Sequence, residues 1–133
     1  MNATVVNIPG LNPNPIGIGD KLRNRRLELH LLQKDVAEIF EVSEPSIVNW
    51  ENNHSEMQLQ FYPKLIEFLG YFPFEIDTST IAGKIKKYRY MNGLIYKEVG
   101  KLIGVDASTV RSWELEKSSP KKNVYQALAT LLK

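Results

Sequence analysis

From Ile18 to the end of the chain, apolar positions recur three and four residues apart, with short polar or glycine-containing breaks between the runs. The clearest stretch is Lys97–Glu114, KEVGKLIGVDASTVRSWE. Val99, Leu102 and Ile103 make an apolar face at helical spacing. Gly104 follows, the residue type that accepts positive φ at a helix end. Asp106 stands where a side chain caps a second helix by accepting from a free backbone N–H. Val110 and Trp113 turn that helix inward and leave Ala107, Ser108, Arg111 and Ser112 outward. Two short helices joined by a tight turn are expected, the helix-turn-helix pattern. The same rhythm predicts helices over 18–29, 33–40, 44–52, 61–69, 81–92, 96–103, 107–115 and 122–132. Pro45 and Pro63 each fall in the first turn of a helix, where a missing N–H matters little.

The pattern repeats. Trp50 and Trp113 lie 63 positions apart, and residues 18–70 lie over 81–133 at that offset without a gap. Thirteen positions are identical: Ile18, Lys21, Arg26, Leu31, Lys34, Val36, Val42, Trp50, Glu51, Ser55, Tyr62, Leu65 and Leu69 with their partners. Pairs such as Leu22/Ile85, Asp35/Glu98 and Ile47/Val110 are conservative. An ungapped match of this length indicates duplication, and a period this long gives two domains rather than a solenoid. The expected division is an N-terminal extended arm over 1–17, a helix-turn-helix domain over 18–70, an apolar connector over 71–80 and a second helix-turn-helix domain over 81–133. The arm holds Pro9, Pro13 and Pro15 but no Lys or Arg, which argues against its entering a DNA groove. Tyr71, Phe72 and Phe74 make the connector too apolar for a free linker, so it is expected to pack on one or both repeats and to set their orientation.

Composition narrows the function classes. The chain has 133 residues, 43% hydrophobic and 24% charged, and no apolar run approaches the roughly 18 residues of a membrane span. The start, MNATVVNIPG, lacks a basic segment and a long apolar segment, so no signal peptide is expected. Without cysteine there is no disulfide and no cysteine-ligated zinc, and His30 and His54 stand apart from each other. No metal or other cofactor is expected, and the chain reads as cytoplasmic. The net charge of +2 is uneven: residues 1–70 carry 6 Lys/Arg against 9 Asp/Glu, and residues 71–133 carry 11 against 6. A polyanion should prefer the second half.

At Gln33–Glu51, QKDVAEIFEVSEPSIVNWE, and again at Tyr96–Glu114, the chain resembles the Cro/repressor-type helix-turn-helix family, also called the xenobiotic-response-element type. The shared signals are an Arg late in the first helix, a small residue in the second, a turn, and Trp-Glu ending the third. The tandem arrangement also resembles small bacterial or phage regulators. The resemblance implies an all-α fold of two tandem four-helix Cro/repressor-like domains. It implies structural ion pairs between Arg26 and Glu51 and between Arg89 and Glu114, with Trp50 and Trp113 in the cores. Val36, Val42 and Ile47, with Val99, Val105 and Val110, complete those cores.

In the family, DNA is read by the start and exposed face of the third helix. The matching positions are Glu44, Pro45, Ser46 and Asn49 in repeat one, and Ala107, Ser108, Thr109, Arg111 and Ser112 in repeat two. Asn suits adenine, Arg suits guanine or phosphate, and Glu accepts only from cytosine N4. The first position of the second helix commonly supports a phosphate contact; it is Gln33 in one repeat and Tyr96 in the other. Lys117, Lys121 and Lys122 are candidates for holding phosphates beside the second reader.

The repeats depart from the pattern differently. Gly93 and Gly104 keep the glycines expected after the first and second helices, whereas repeat one has His30 and Glu41 there. Either those residues are held at positive φ, at on the order of 1 kcal/mol each, or the turns are reshaped. The Gly after Trp-Glu is replaced by Asn53 and Glu116, and the hydroxyl cap before the second helix by Leu32 and Ile95. The reading face of repeat one is acidic through Glu44 and has Val48 where repeat two has Arg111. Sequence-specific binding of double-stranded DNA and transcription regulation are therefore expected, with the third helix of repeat two as main reader. The alternative is a protein-interaction or dimerisation module, such as an antitoxin-like or phage regulatory adaptor, in which repeat one binds a second copy or another protein. No enzyme is expected, because no Ser-His-Asp signature, P-loop or metal-ligand cluster is present.

Overall fold

The amphipathic runs resolve as helices one after another. A computed structural model describes residues 8–133, and among them lie α1 (Gly17–Glu28), α2 (Gln33–Phe40), α3 (Glu44–Glu51), a 3-10 turn at Leu59–Phe61, α4 (Tyr62–Leu69), α5 (Ile81–Asn92), α6 (Tyr96–Ile103), α7 (Ala107–Glu114) and α8 (Lys122–Leu131). No strand occurs among the described residues. The chain is all-α, in two tandem sets of four, and each helix end lies within one residue of the expectation. The part of the expected arm over 1–7 lies outside the described residues.

Backbone contacts group the chain into two units. One runs to Met57 and takes in Glu67–Tyr71; the other holds Gln58–Ile66 and Phe72–Lys133. The division falls inside α4.

In the first unit, α3 packs on both α1 and α2. Leu22, Val36, Phe40, Ile47 and Trp50 are buried. Phe40 meets the rings of Trp50 and Phe68 edge-on, at centroid distances of 5.9 and 5.8 Å. An ideal Cβ at Gly19 would lie 2.1 Å from the Trp50 carbonyl oxygen. The α1 backbone thus crosses the end of α3 with no room for a side chain. The segment before α1 is pinned to it. Asn12 N–H donates to Asn24 Oδ1 at 2.9 Å, Asn24 Nδ2 donates back to Asn12 O at 2.7 Å, and Arg23 donates to the Gly10 carbonyl.

In the second unit, α7 packs on α5 and α6, and α8 on α6. Ile85, Val99, Val110, Trp113 and Leu128 form the core, with Ile81, Leu94, Ile103 and Val105 against it. Leu102 is an exception to the expected apolar face: it is exposed, because the eight-residue α6 turns Val99 into the core and leaves Leu102 on the outside. Phe72 and Phe74 stack within this unit. Phe74 meets Tyr62 and Tyr90 at 4.6 and 4.8 Å, and Lys87 Nζ lies 5.4 Å from the Phe72 ring. Thr80 caps α5 by accepting from Gly83 N–H at 3.0 Å. An ideal Cβ at Gly83 would lie 1.7 Å from the Asp77 carbonyl oxygen. The Ser79 hydroxyl and backbone N–H donate to the Asp77 carboxylate at 2.6 and 2.9 Å and hold its pKa below the ordinary value.

The helix starts and turns settle what the departures leave open. Neither α2 nor α6 has a hydroxyl cap. Instead the carboxylate of Asp35 accepts from Leu32 N–H at 2.8 Å, and that of Glu98 from Ile95 N–H at 2.9 Å. This is one half of a capping box. Asp106 occupies the N-cap of α7 with extended backbone, but its side chain makes no cap hydrogen bond, contrary to expectation. The turns are not reshaped where glycine is missing: φ is +57° at His30, +56° at Glu41, +58° at Asn53 and +58° at Glu116, against +64° at Gly93 and +78° at Gly104.

Candidate nucleic-acid interface

A bidentate ion pair closes each repeat behind its third helix. Arg26 Nε donates to Glu51 Oε2 at 2.7 Å and a terminal nitrogen donates to Oε1 at 2.9 Å, while the other terminal nitrogen reaches the Leu31 carbonyl at 3.1 Å. In repeat two Arg89 Nε donates to Glu114 Oε2, and its terminal nitrogens reach Glu114 Oε1 and the Leu94 carbonyl at 3.0 and 3.2 Å. The side chains of Glu51 and Glu114 are 1% and 4% exposed, so neither carboxylate is left for a ligand. The planar guanidinium fork ties the first helix, the entry to the second and the end of the third together in one bond set.

The first residue of the second helix joins this set in both repeats. Gln33 Nε2 donates to Glu51 Oε1 at 3.2 Å, and the Tyr96 hydroxyl donates to Glu114 Oε1 at 3.5 Å. The Arg89 guanidinium carbon also sits 4.2 Å from the Tyr96 ring centroid. These two residues, expected as phosphate contacts, are half-buried and held by the structural pair, a tie that only the fold reveals. Burial is the largest influence on Arg89 and pushes its pKa down, but the bonds and charge of Glu114, with smaller contributions from Tyr96 and Tyr90, outweigh it and the net direction is up. Burial, then the Glu114 charge, raises the Tyr96 phenol, against the opposing charges of Arg89 and Arg111.

The third helices present different chemistry. In α7, Val110 and Trp113 face the core, Ser108 and Arg111 are exposed, and Ala107, Thr109 and Ser112 are half-buried. The Arg111 guanidinium makes no hydrogen bond or ion pair among the described residues, though its charge reaches the Tyr96 phenol. After α7, Lys117 and Lys121 are exposed, as is Lys122 at the start of α8. In α3, Ile47 and Trp50 face the core, and Glu44, Pro45 and Asn49 are exposed. Ser46 is half-buried, with its hydroxyl 3.0 Å from that of Ser43. Val48, in the register of Arg111, is half-buried.

A helix-turn-helix family model of the Cro/C1 type matches the chain twice, over residues 22–75 and 85–133. The chain belongs to this helix-turn-helix family. Searches of the curated proteins and of the solved structures return no match. Cro/C1-type helix-turn-helix membership brings DNA binding and transcription regulation of the repressor-like kind, in tandem copies. Among the described residues no three His, Cys, Asp or Glu side chains come together to hold a metal ion. No helix there is long and apolar enough to cross a membrane.

Proposed function

We propose that the chain binds double-stranded DNA sequence-specifically, with α7 as principal reader. The observation that carries this reading is Arg111: an exposed guanidinium on the outward face of α7, with no hydrogen bond or ion pair holding it among the described residues. Ser108 lies on the same face, and Lys117, Lys121 and Lys122 stand in the sequence just after it. Arg111 is suited to guanine or phosphate, Ser108 to several base edges, and the lysines to phosphate oxygens. Residues 18–70 and 81–133 act as two modules joined by 71–80, each addressing one half-site of an operator whose halves need not match. The test is selection from a random double-stranded DNA library, followed by affinity measured against salt. A steep loss of affinity with salt is expected. Absence of binding at low salt would overturn the reading.

A second reading concerns repeat one alone. Glu41 and Glu44 are exposed where repeat two has Gly104 and Ala107, and Val48 replaces Arg111. That face suits a protein partner or a second copy better than a phosphate backbone. Light scattering with and without operator separates the cases: a larger assembly that Glu44→Lys dissolves supports the protein-binding face.

A further inference from the structure

The hydroxyls of Ser112, on α7, and Ser118, in the loop after it, lie 2.8 Å apart, so one donates to the other. Ser112 also accepts at its carbonyl from Lys117 N–H at 2.9 Å. Between them Glu116 holds a left-handed conformation at φ +58°, and Leu115 N–H donates to the Arg111 carbonyl at 3.0 Å. A main-chain reversal of this kind brings the loop back onto the outer flank of the reading helix.

The first repeat contains the same reversal without the side-chain bond. Asn53 takes φ +58°, and His54 N–H donates to the Asn49 carbonyl at 2.9 Å, the counterpart of Lys117 to Ser112. Ser55, the counterpart of Ser118, meets Asn49 through its backbone N–H at 3.4 Å, with no side-chain bond between the two. The backbone alone therefore forms the turn. The hydroxyl pair in repeat two is an addition, found in the repeat with the exposed Arg111 and the run of lysines.

We infer that Ser112 and Ser118 are positioning residues that pin the Lys117–Lys121 loop to α7, so that the loop cations and Arg111 meet the DNA backbone and base edges in one fixed spacing. This rests on α7 being the reader. It gives Ser112 a role other than base contact: its hydroxyl is engaged by the loop, and its side chain is half-buried. A loop already ordered in its bound form loses less conformational freedom on binding. Ser118 is exposed, so its removal leaves the core untouched.

The experiment is a double-mutant cycle on the selected operator, read by fluorescence anisotropy, with thermal unfolding as a fold control. Ser112→Ala and Ser118→Ala are each expected to weaken binding about fivefold, the scale of one hydrogen bond. The double variant should be no weaker than either single one, because both remove the same bond. The loss should be equal on operators altered at single base pairs, and Ser118→Thr should restore affinity. Lys117→Ala should weaken binding less in the Ser118→Ala background than alone. Additive losses in the cycle, or a Ser112→Ala loss confined to one base pair, would overturn the pin while leaving α7 as the reader. An unaltered affinity for Arg111→Ala with intact wild-type binding would instead remove α7 as the reader, and the pin with it.

Discussion

The third helix of the first repeat carries Glu44 and Val48 in the register where the second carries Ala107 and Arg111. Behind both helices, however, stands the same guanidinium fork on the same buried carboxylate, Arg26 with Glu51 and Arg89 with Glu114. The contrast separates two jobs within one element. The inward residues, Ile47 and Trp50 or Val110 and Trp113, together with the terminal Glu, fix where the helix lies. The outward residues differ between the repeats, and few of them are held: Ser46 and Ser112 by hydroxyl pairs, Val48 by partial burial. Duplication has kept the first set and let the second diverge.

The comparison can be broken most forcefully at the ion pairs. Arg26→Ala or Arg89→Ala leaves a buried carboxylate without its partner, which costs about 3–5 kcal/mol. Calorimetry should show similar losses from the two substitutions, one in each repeat; a loss in one alone would mean that the scaffolds are less alike than their geometry. Next in size is Arg111→Ala, which should weaken operator binding by about 1–3 kcal/mol with an unchanged unfolding midpoint. Asn49→Ala, on the other repeat, should weaken it less in the same titration.

The left-handed positions give a smaller and signed test. His30→Gly and Glu41→Gly should each stabilise the chain by about 1 kcal/mol, and Gly104→Ala should destabilise it by a similar amount. Gly93→Ala should cost more than Gly104→Ala. An added Cβ at Gly93 would come within 3.0 Å of Pro63 and 3.3 Å of the Gln60 carbonyl, whereas at Gly104 nothing lies within 4 Å. Chemical denaturation of the four variants measures all of this.

The smallest effect is in alkali. Burial and the Glu114 charge raise the Tyr96 pKa above its ordinary 10.0, so the folded chain holds that proton more tightly than the unfolded one. The resulting stabilisation is complete below about pH 10 and is lost as pH rises through the folded value. Tyr96→Phe should therefore flatten the alkaline fall of the unfolding midpoint. Gln33, in the same place in repeat one, has no proton to titrate there, and Gln33→Ala should leave that fall unchanged.

Helix positions were legible because apolar spacing, Pro45, Pro63 and the turn glycines mark both interiors and ends. The exposure of Ser108 and Arg111 followed from that same spacing. Leu102 was misplaced because spacing alone counts it on the stripe of Val99 and Ile103, while at about 3.6 residues per turn it lies roughly 100° round the helix from Ile103, beyond the face that packs on the core. Asp106 has the right residue type at the right position, and its side chain simply does not make the bond. His30 and Glu41 left strain and reshaping equally open, since residue type alone does not say which the surrounding packing enforces. The Asn12–Asn24 exchange and the Ser112–Ser118 pair join short polar side chains whose partners follow only from where the chain folds back.

Gly19 has a consequence for modularity. In repeat one the α1 backbone approaches the Trp50 carbonyl so closely that no methyl fits. The matching position in repeat two is Ala82, which is buried and carries its methyl. The two third helices therefore meet their first helices with different clearance. Transplanting ASTVRSWE into the place of EPSIVNWE would carry the outward residues across but not the first-helix clearance that goes with them. The repeats are not interchangeable parts, and an exchange of their third helices would have to move the first helices with them.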